Sequence, residues 1–235
     1  VGVRARGAGV VVAGAQVRVA HEFLAQVKAS LGESKLPLQG LFRDRLMLKR
    51  PALELYAQQY KPMLTFLWGL TPVMSQLTQR ALLPTYSYFR IYREGDVCWV
   101  HSDRFACEHS LSLTLGYSDG QYWPFEIGSE PLTQVRPVET TFEQDAHNSI
   151  NMAVGDAVLY QGVSYRHGRV TPNPNRWSAH MFLHWVDEAG PYRSEAFDGA
   201  GVGLAGAVVE GAGVGRRQRR HAACDIENAR EVFRP

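Results

Sequence analysis

Two histidines and an aspartate in this sequence have the types and order to hold a single metal ion. His101-Ser102-Asp103 sets an imidazole and a carboxylate two residues apart, and His167 follows much further along the chain. Residues i and i+2 of a strand point the same way, so His101 and Asp103 can grip one ion from a single short element. Two neutral imidazoles and one carboxylate cover one face of an octahedral ion and leave other positions open. That is the ligand set of non-haem Fe(II) oxygen chemistry. A bare H-x-D is common in sequences, but here His167 and then Arg176-Trp177-Ser178 follow it in order.

Such ligands need strands to carry them, and the pattern after Pro84 supplies strands. Residues 86–92 read as one, 93–96 (Arg-Glu-Gly-Asp) as a turn, and 97–103 as the strand bearing His101 and Asp103. Residues 110–115 alternate with period 2, 116–120 turn, and 123–127 and 138–142 are further strands. Residues 150–154 and 157–160, around Gly155-Asp156, read as a hairpin. Residues 163–170 carry His167, and 177–186 form the last strand. Ahead of these, residues 20–83 read as helical. Phe23, Leu24, Val27 and Leu31 recur at helical spacing, a second helix spans 51 or 52 to 68, and Pro72 opens a third that Pro84 closes. Short strands after a helical segment predict a mainly β chain with N-terminal helices (α+β), a sandwich or barrel buttressed by helices.

Composition agrees with one domain. The 235 residues are 45% hydrophobic and 20% charged. Residues 1–19 read as a flexible extension, 20–198 as the domain, and 199–235 as a mobile tail whose first part, 199–215, holds seven glycines ahead of Arg216-Arg217-Gln218-Arg219-Arg220. Outside the ends, residues 21–198 carry 16 basic and 19 acidic groups, which disfavours nucleic acid as a partner. No apolar run is long enough for a membrane span. Three cysteines without a C-x-x-C point to a reducing, intracellular and cytoplasmic setting. Residues 4–15 resemble a secretory signal only in outline, because their apolar part is short and glycine-rich.

Taken together, Tyr92-x-x-Gly95, His101-x-Asp103, Gly155-Asp156-Ala157, His167 and Arg176-x-Ser178 resemble the Fe(II)/2-oxoglutarate-dependent dioxygenases, nearest the prolyl-4-hydroxylase-like branch. The match covers roughly residues 85–187, the double-stranded β-helix (jelly-roll) core of that superfamily, with residues 20–83 as supporting helices on one sheet. The resemblance implies Fe(II) held by His101, Asp103 and His167, with 2-oxoglutarate and O2 as cosubstrates. It implies that Arg176 takes the distal carboxylate of 2-oxoglutarate, with Ser178 adding a hydrogen bond and the Tyr92 phenol within reach. The implied reaction is hydroxylation of a C–H bond in an amino acid, peptide or other small molecule, with release of succinate and CO2.

Two departures argue against peptidyl proline as the substrate. Arg176 stands where prolyl hydroxylases often have Lys, and Cys98 stands where many have Tyr. Asp103 argues against halogenation, since a halide site would need to lose that carboxylate. The rivals are a cupin-like isomerase or hydrolase that has no use for Arg176 and Ser178, and an inactive binding barrel. Strand parity also sets Arg176, Ser178, His180, Phe182 and His184 on one face, with His180 or His184 as competing third ligands. Loops 116–122 and 128–148, with Tyr122, Trp123 and Glu126, are the candidates to shape a substrate pocket.

Overall fold

Alternating side chains give each strand of this chain two different faces, and two stacked sheets use both. The computed structural model describes residues 2–6, 9–13, 21–26, 29, 42–43 and 45–198. Its strands are β1 (Gly2–Arg6), β2 (Gly9–Ala13), β3 (Phe42–Arg43), β4 (Ala52–Tyr56), β5 (Leu82–Arg93), β6 (Cys98–His101), β7 (His109–Tyr117), β8 (Phe125–Gly128), β9 (His147–Ile150), β10 (Ala157–Tyr160), β11 (His167–Arg169) and β12 (Trp177–Asp187). The larger sheet runs β1-β2-β10-β7-β12-β5-β4-β3 and the smaller β6-β11-β8-β9. From β5 onward the chain passes back and forth between the sheets. This is the jelly roll that the resemblance implies.

Odd-numbered residues of β5, β7 and β12 build the outer core. Phe89, Ile91, Leu111, Leu113, Leu115, Met181, Leu183 and Trp185 pack with Met63, Leu67 and Met74 of the helix Lys61–Thr78, and with Phe23 and Leu24 of the helical residues 21–26. Burying this face against helices supplies the main apolar driving force. Even-numbered residues face the other sheet, and many are polar: Ser110, Ser112, Thr114, Arg90, Ser178, His180 and His184 are all buried. The interior of the barrel is therefore where chemistry can sit.

Several expectations need correction. The helix expected from residue 51 or 52 to 68 is interrupted. Residues 52–56 form β4, pairing Leu53 with Ile91 and Leu55 with Phe89. Leu53 and Leu55 join the outer core while Glu54 points the other way, a period-2 pattern that a helical reading overlooks. One helix then runs Lys61–Thr78 through Pro72, which sits inside it and not at a new N-terminus. The buried Leu67 and Met74 hold the helix together across the missing donor. Pro84 lies inside β5, opposite Trp185 and beside a register shift, where a sheet tolerates proline.

Residues 138–142 contain no strand, only a bridge between Glu139 and Val100. The partner of β8 is β9 instead. β9 and β10 belong to different sheets and make no hairpin. Gly155, at φ +87°, turns the chain from one sheet to the other. The 1–19 segment, read as an extension, contributes β1 and β2 to the sheet edge, with β2 pairing to β10. The run Val10-Val11-Val12 suits a strand. The tail expected over 199–235 lies outside the described residues, as does most of 27–41.

Candidate metal centre

His101 ends β6, His167 begins β11, and the two are direct cross-strand partners. Their ring centroids lie 4.5 Å apart. Asp103 lies two residues past the end of β6, positioned by its own N–H on the Gly162 carbonyl (2.9 Å). The ligand atoms of all three residues fall within 4.8 Å of one another.

Backbone carbonyls fix the tautomers of both imidazoles. His101 Nδ1 is 2.7 Å from the Trp99 carbonyl, and His167 Nδ1 is 2.9 Å from the Tyr165 carbonyl. A carbonyl oxygen only accepts, so each Nδ1 carries the proton and each neutral ring presents a bare Nε2. Those nitrogens face Asp103, at 3.6 Å from Oδ1 for His101 and 3.3 Å from Oδ2 for His167. Asp103 Oδ2 is buried and receives no hydrogen bond. Three lone pairs thus converge once both rings are neutral, which a cation satisfies and a neutral core does not.

The protonation equilibria show the same strain. Burial pushes the Asp103 carboxyl up, but the neighbouring His167 and His101 imidazoles outweigh it and hold it well below the usual carboxylate range. Burial and His167 lower His101, whereas Asp103 overcomes burial at His167 and raises it. Gly162 makes room for the carboxylate, because a Cβ there would collide with Asp103 Oδ2, the Cys107 carbonyl and Ser110 Oγ. Tyr160 and Phe125 wall the His167 ring, at 4.6 and 5.8 Å between centroids. Next to His167, Arg166 pins the loop that includes Glu139 and Asp145, with ion pairs of 2.5 and 2.6 Å.

Asp103 also lies near Cys107 and His184 as a second possible ligand group. The Cys107 thiol is tied to the Tyr86 hydroxyl (3.1 Å) and pushed well up by burial. It is a protonated thiol and a poor ligand as it stands. His184, buried and held at about 3, binds Ser110 through Nδ1. The His101–Asp103–His167 group is the better donor set. Two surface clefts, of about 590 and 550 Å³, lie elsewhere and include no residue of it.

The other expected residues divide. Tyr92 and Ser178 are wholly buried in the barrel. The Tyr92 hydroxyl accepts from Arg90 (2.8 Å), and Ser178 Oγ donates to Asn173 Oδ1 (2.7 Å). Arg176 precedes β12, has a side chain 57% exposed, and pairs with Asp119 at 3.3 Å. A bulge separates Cys98 from His101 in the register: Cys98 opposes Arg169 while His101 opposes His167. Cys98 packs with Tyr92, Trp123 and Phe182, outside either ligand group. Arg169, two residues after His167 and 2% exposed, is a buried charge that the motif pattern does not single out, as are Glu54 and Arg90. Its parity with His167 was the available signal.

No protein-family model matches the sequence, and no curated protein matches it. Solved structures do, and they define the class of fold: the double-stranded β-helix of the Fe(II)/2-oxoglutarate-dependent oxygenases. The non-haem α-ketoglutarate-dependent carbocyclase SnoK from nogalamycin biosynthesis superposes with a TM-score of 0.56 at 8% identity, covering 77% of this chain and 80% of its own. AviO1 from Streptomyces viridochromogenes Tue57 gives 0.54 at 17%, covering 79% and 92%. A Pseudomonas putida prolyl-4-hydroxylase gives 0.50 at 14%, covering 76% and 92%. Among the described residues, no helix is long and apolar enough to cross a membrane.

Proposed function

We propose that the protein is an Fe(II)/2-oxoglutarate-dependent oxygenase that hydroxylates a C–H bond of a small molecule or peptide. The observation that carries this is the convergence of two bare Nε2 atoms and an undonated carboxylate oxygen at one end of the smaller sheet. Iron(II) with 2-oxoglutarate and O2 would supply the oxidation, one oxygen atom going to the substrate and the other to succinate as CO2 leaves.

The chain's own contribution is placement. The Trp99 and Tyr165 carbonyls hold the imidazoles with Nε2 inward. Asp103 brings one negative charge, leaving open positions for a bidentate 2-oxo acid and O2. Tyr160 and Phe125 keep water from the His167 side. For the distal carboxylate, the sequence offers Arg176 with Ser178 and Tyr92. Ser178 and Tyr92 already line the interior, and Arg176 would have to exchange Asp119 for the cosubstrate to join them. SnoK is a carbocyclase and SnoN, another similar structure, an epimerase, so the same fold serves other oxidative outcomes in those proteins. The buried free thiols of Cys98 and Cys107 favour a reducing, cytoplasmic location.

The test is an anaerobic titration of metal-free protein with Fe(II) and 2-oxoglutarate, following their visible charge-transfer band. A band is expected in the wild type and none in Asp103→Ala. With Mn(II) at a hundred times its dissociation constant, the wild type should gain about 2.7 kcal/mol of stability, and Asp103→Ala should lose that gain. Folded, iron-loaded protein without a band would favour a cupin-like metalloenzyme that turns over without 2-oxoglutarate. Failure to bind any metal would favour an inactive barrel.

A further inference from the structure

Cys107, His184 and Asp103 bring a thiol, an imidazole and a carboxylate together between the two sheets. Each offers one ligand atom, and these atoms all lie within 4.8 Å of one another. Cys107 ends the short helical turn Phe105–Cys107 and is 1% exposed, while His184 stands on β12 of the larger sheet and is 2% exposed. His101 and His167 belong to the smaller sheet, so Asp103 alone is common to this group and the first centre.

Folding leaves the cluster unsatisfied. The Ser110 hydroxyl has one proton and gives it to the Cys107 carbonyl at 3.2 Å. His184 Nδ1, 2.9 Å from the same Ser110 Oγ, therefore donates to it, and Nε2 keeps a bare lone pair. That Nε2 is buried without a partner, as is Asp103 Oδ2. A histidine kept for packing alone would find a donor for its second nitrogen. The stack of its ring on Tyr86, 4.5 Å between centroids, holds the imidazole in place without supplying one. The Tyr86 hydroxyl lies 3.1 Å from Cys107 Sγ, where it can donate to a metal-bound thiolate.

Sulfur decides which ion the group takes. Two imidazoles and a carboxylate suit iron or manganese, whereas a sulfur, nitrogen and oxygen set favours a thiophilic ion. Zinc accepts three such protein ligands in a tetrahedral shell and keeps its fourth position open. The Asp103 side chain, 17% exposed, connects the group to solvent, and its two oxygens can serve one ion on each side. We infer that Asp103, Cys107 and His184 form a second metal site, for zinc or another thiophilic divalent ion. The ion binds as the Cys107 thiol releases its proton to solvent. This needs only the three residues named, and it stands whether or not the first centre serves an oxygenase.

The test titrates Cd(II), a thiophilic stand-in for zinc, into reduced, metal-free Cys224→Ser protein, which lacks the thiol outside the described residues. The reading is the ultraviolet thiolate-to-cadmium charge-transfer band, with circular dichroism to check folding. A band is expected in this parent and also after His101→Ala, which disables the first centre. Cys107→Ala should abolish it. His184→Phe, which keeps a ring against Tyr86, should weaken cadmium binding at least about tenfold, as loss of a ligand implies. No band in the parent, a band surviving Cys107→Ala, or an unchanged affinity in His184→Phe would overturn the inference. So would loss of the band in His101→Ala, because the thiol would then only be joining the first centre. If Cys107→Ala or His184→Phe does not fold, X-ray absorption of the cadmium-loaded parent decides. A sulfur neighbour beside nitrogen and oxygen supports the site, and a shell of nitrogen and oxygen alone overturns it.

Discussion

Two walls of one barrel each bury an arginine, and they treat it in opposite ways. On β4 and β5, Arg90 meets Glu54 through Nε at 2.8 Å and Nη2 at 2.5 Å, and Nη1 donates to the Tyr92 hydroxyl. Glu54 in turn accepts from Arg45 and from the Tyr56 hydroxyl. Burial pushes the Glu54 carboxyl up, but Arg90 and Arg45 overcome it and hold it below its ordinary value. On β11 and β12, Arg169 has no carboxylate partner among the described residues and His180 has a free Nε2, and just past β6 Asp103 has a free Oδ2. The first wall is finished by folding itself. The second keeps donors and acceptors unused, and polar groups left open in this way mark a candidate site.

The largest effect is expected at the finished wall. Glu54→Gln leaves Arg90 buried without its charge partner, and should lower the unfolding free energy by about 3–5 kcal/mol. Glu54→Gln combined with Arg90→Met should recover much of the loss, because apolar replacements of a buried pair are often near neutral. Urea unfolding of the three proteins checks both. A loss under about 1 kcal/mol in the single variant would mean that Arg90 is no more dependent on its carboxylate than Arg169 is, and the contrast would fail.

A smaller effect separates the walls by pH. Burial, then repulsion from Arg169 and Arg90, lowers His180 well below the ordinary imidazole range, and burial holds His184 at about 3. Unfolding returns both to about 6.5. Below that value the unfolded chain binds protons that the folded protein refuses, so stability falls as pH drops, by up to about 1.4 kcal/mol per pH unit for each group. Glu54, also lowered, adds its loss only below its ordinary value of 4.5. Metal-free protein should therefore weaken between pH 6.5 and 5 through its histidines. His167, raised by Asp103, works in the opposite direction, its stabilisation fading as pH rises. His180→Gln should flatten the slope of urea midpoint against pH, and an unchanged slope would show that His180 is not held neutral.

How much of this could be read from the sequence follows from what each signal depends on. His101, Asp103 and His167 are legible because ligand type and order survive without knowing the sheet. The strands β5, β7 and β12 are legible because each is long enough for alternation to repeat. β4 is not, because Leu53, Glu54 and Leu55 make only one alternation ahead of a helix. The loop over 128–146 is not, because its order comes from Arg136 and Arg166 pairing with Glu139 and Asp145 across the sheet edge, which no local pattern encodes. Arg176 and Arg169 are the instructive pair. Position after His167 favours Arg176, but its side chain is taken by Asp119, and only the tertiary structure reveals that Arg169 has no such partner.

Asp119→Ala is the smallest perturbation and the sharpest one. Asp119 sits at the surface, where it accepts from the Ser118 hydroxyl, from the Arg176 N–H at 2.8 Å and from Arg176 Nε at 3.3 Å. Those bonds lower its carboxyl, and water screens what remains, so the melting temperature of Asp119→Ala should equal that of the wild type within error. The substitution nevertheless removes the carboxylate that holds the Arg176 side chain at the rim. If Arg176 is the anchor of the 2-oxo acid, freeing it should tighten 2-oxoglutarate binding, because the cosubstrate no longer competes with Asp119 for the same guanidinium. If Arg176 stays at the rim and takes no part, the affinity should not move. A calorimetric titration of 2-oxoglutarate into Mn(II)-loaded wild type and Asp119→Ala reads the difference directly, and a tighter affinity with an unchanged melting temperature is the expected result.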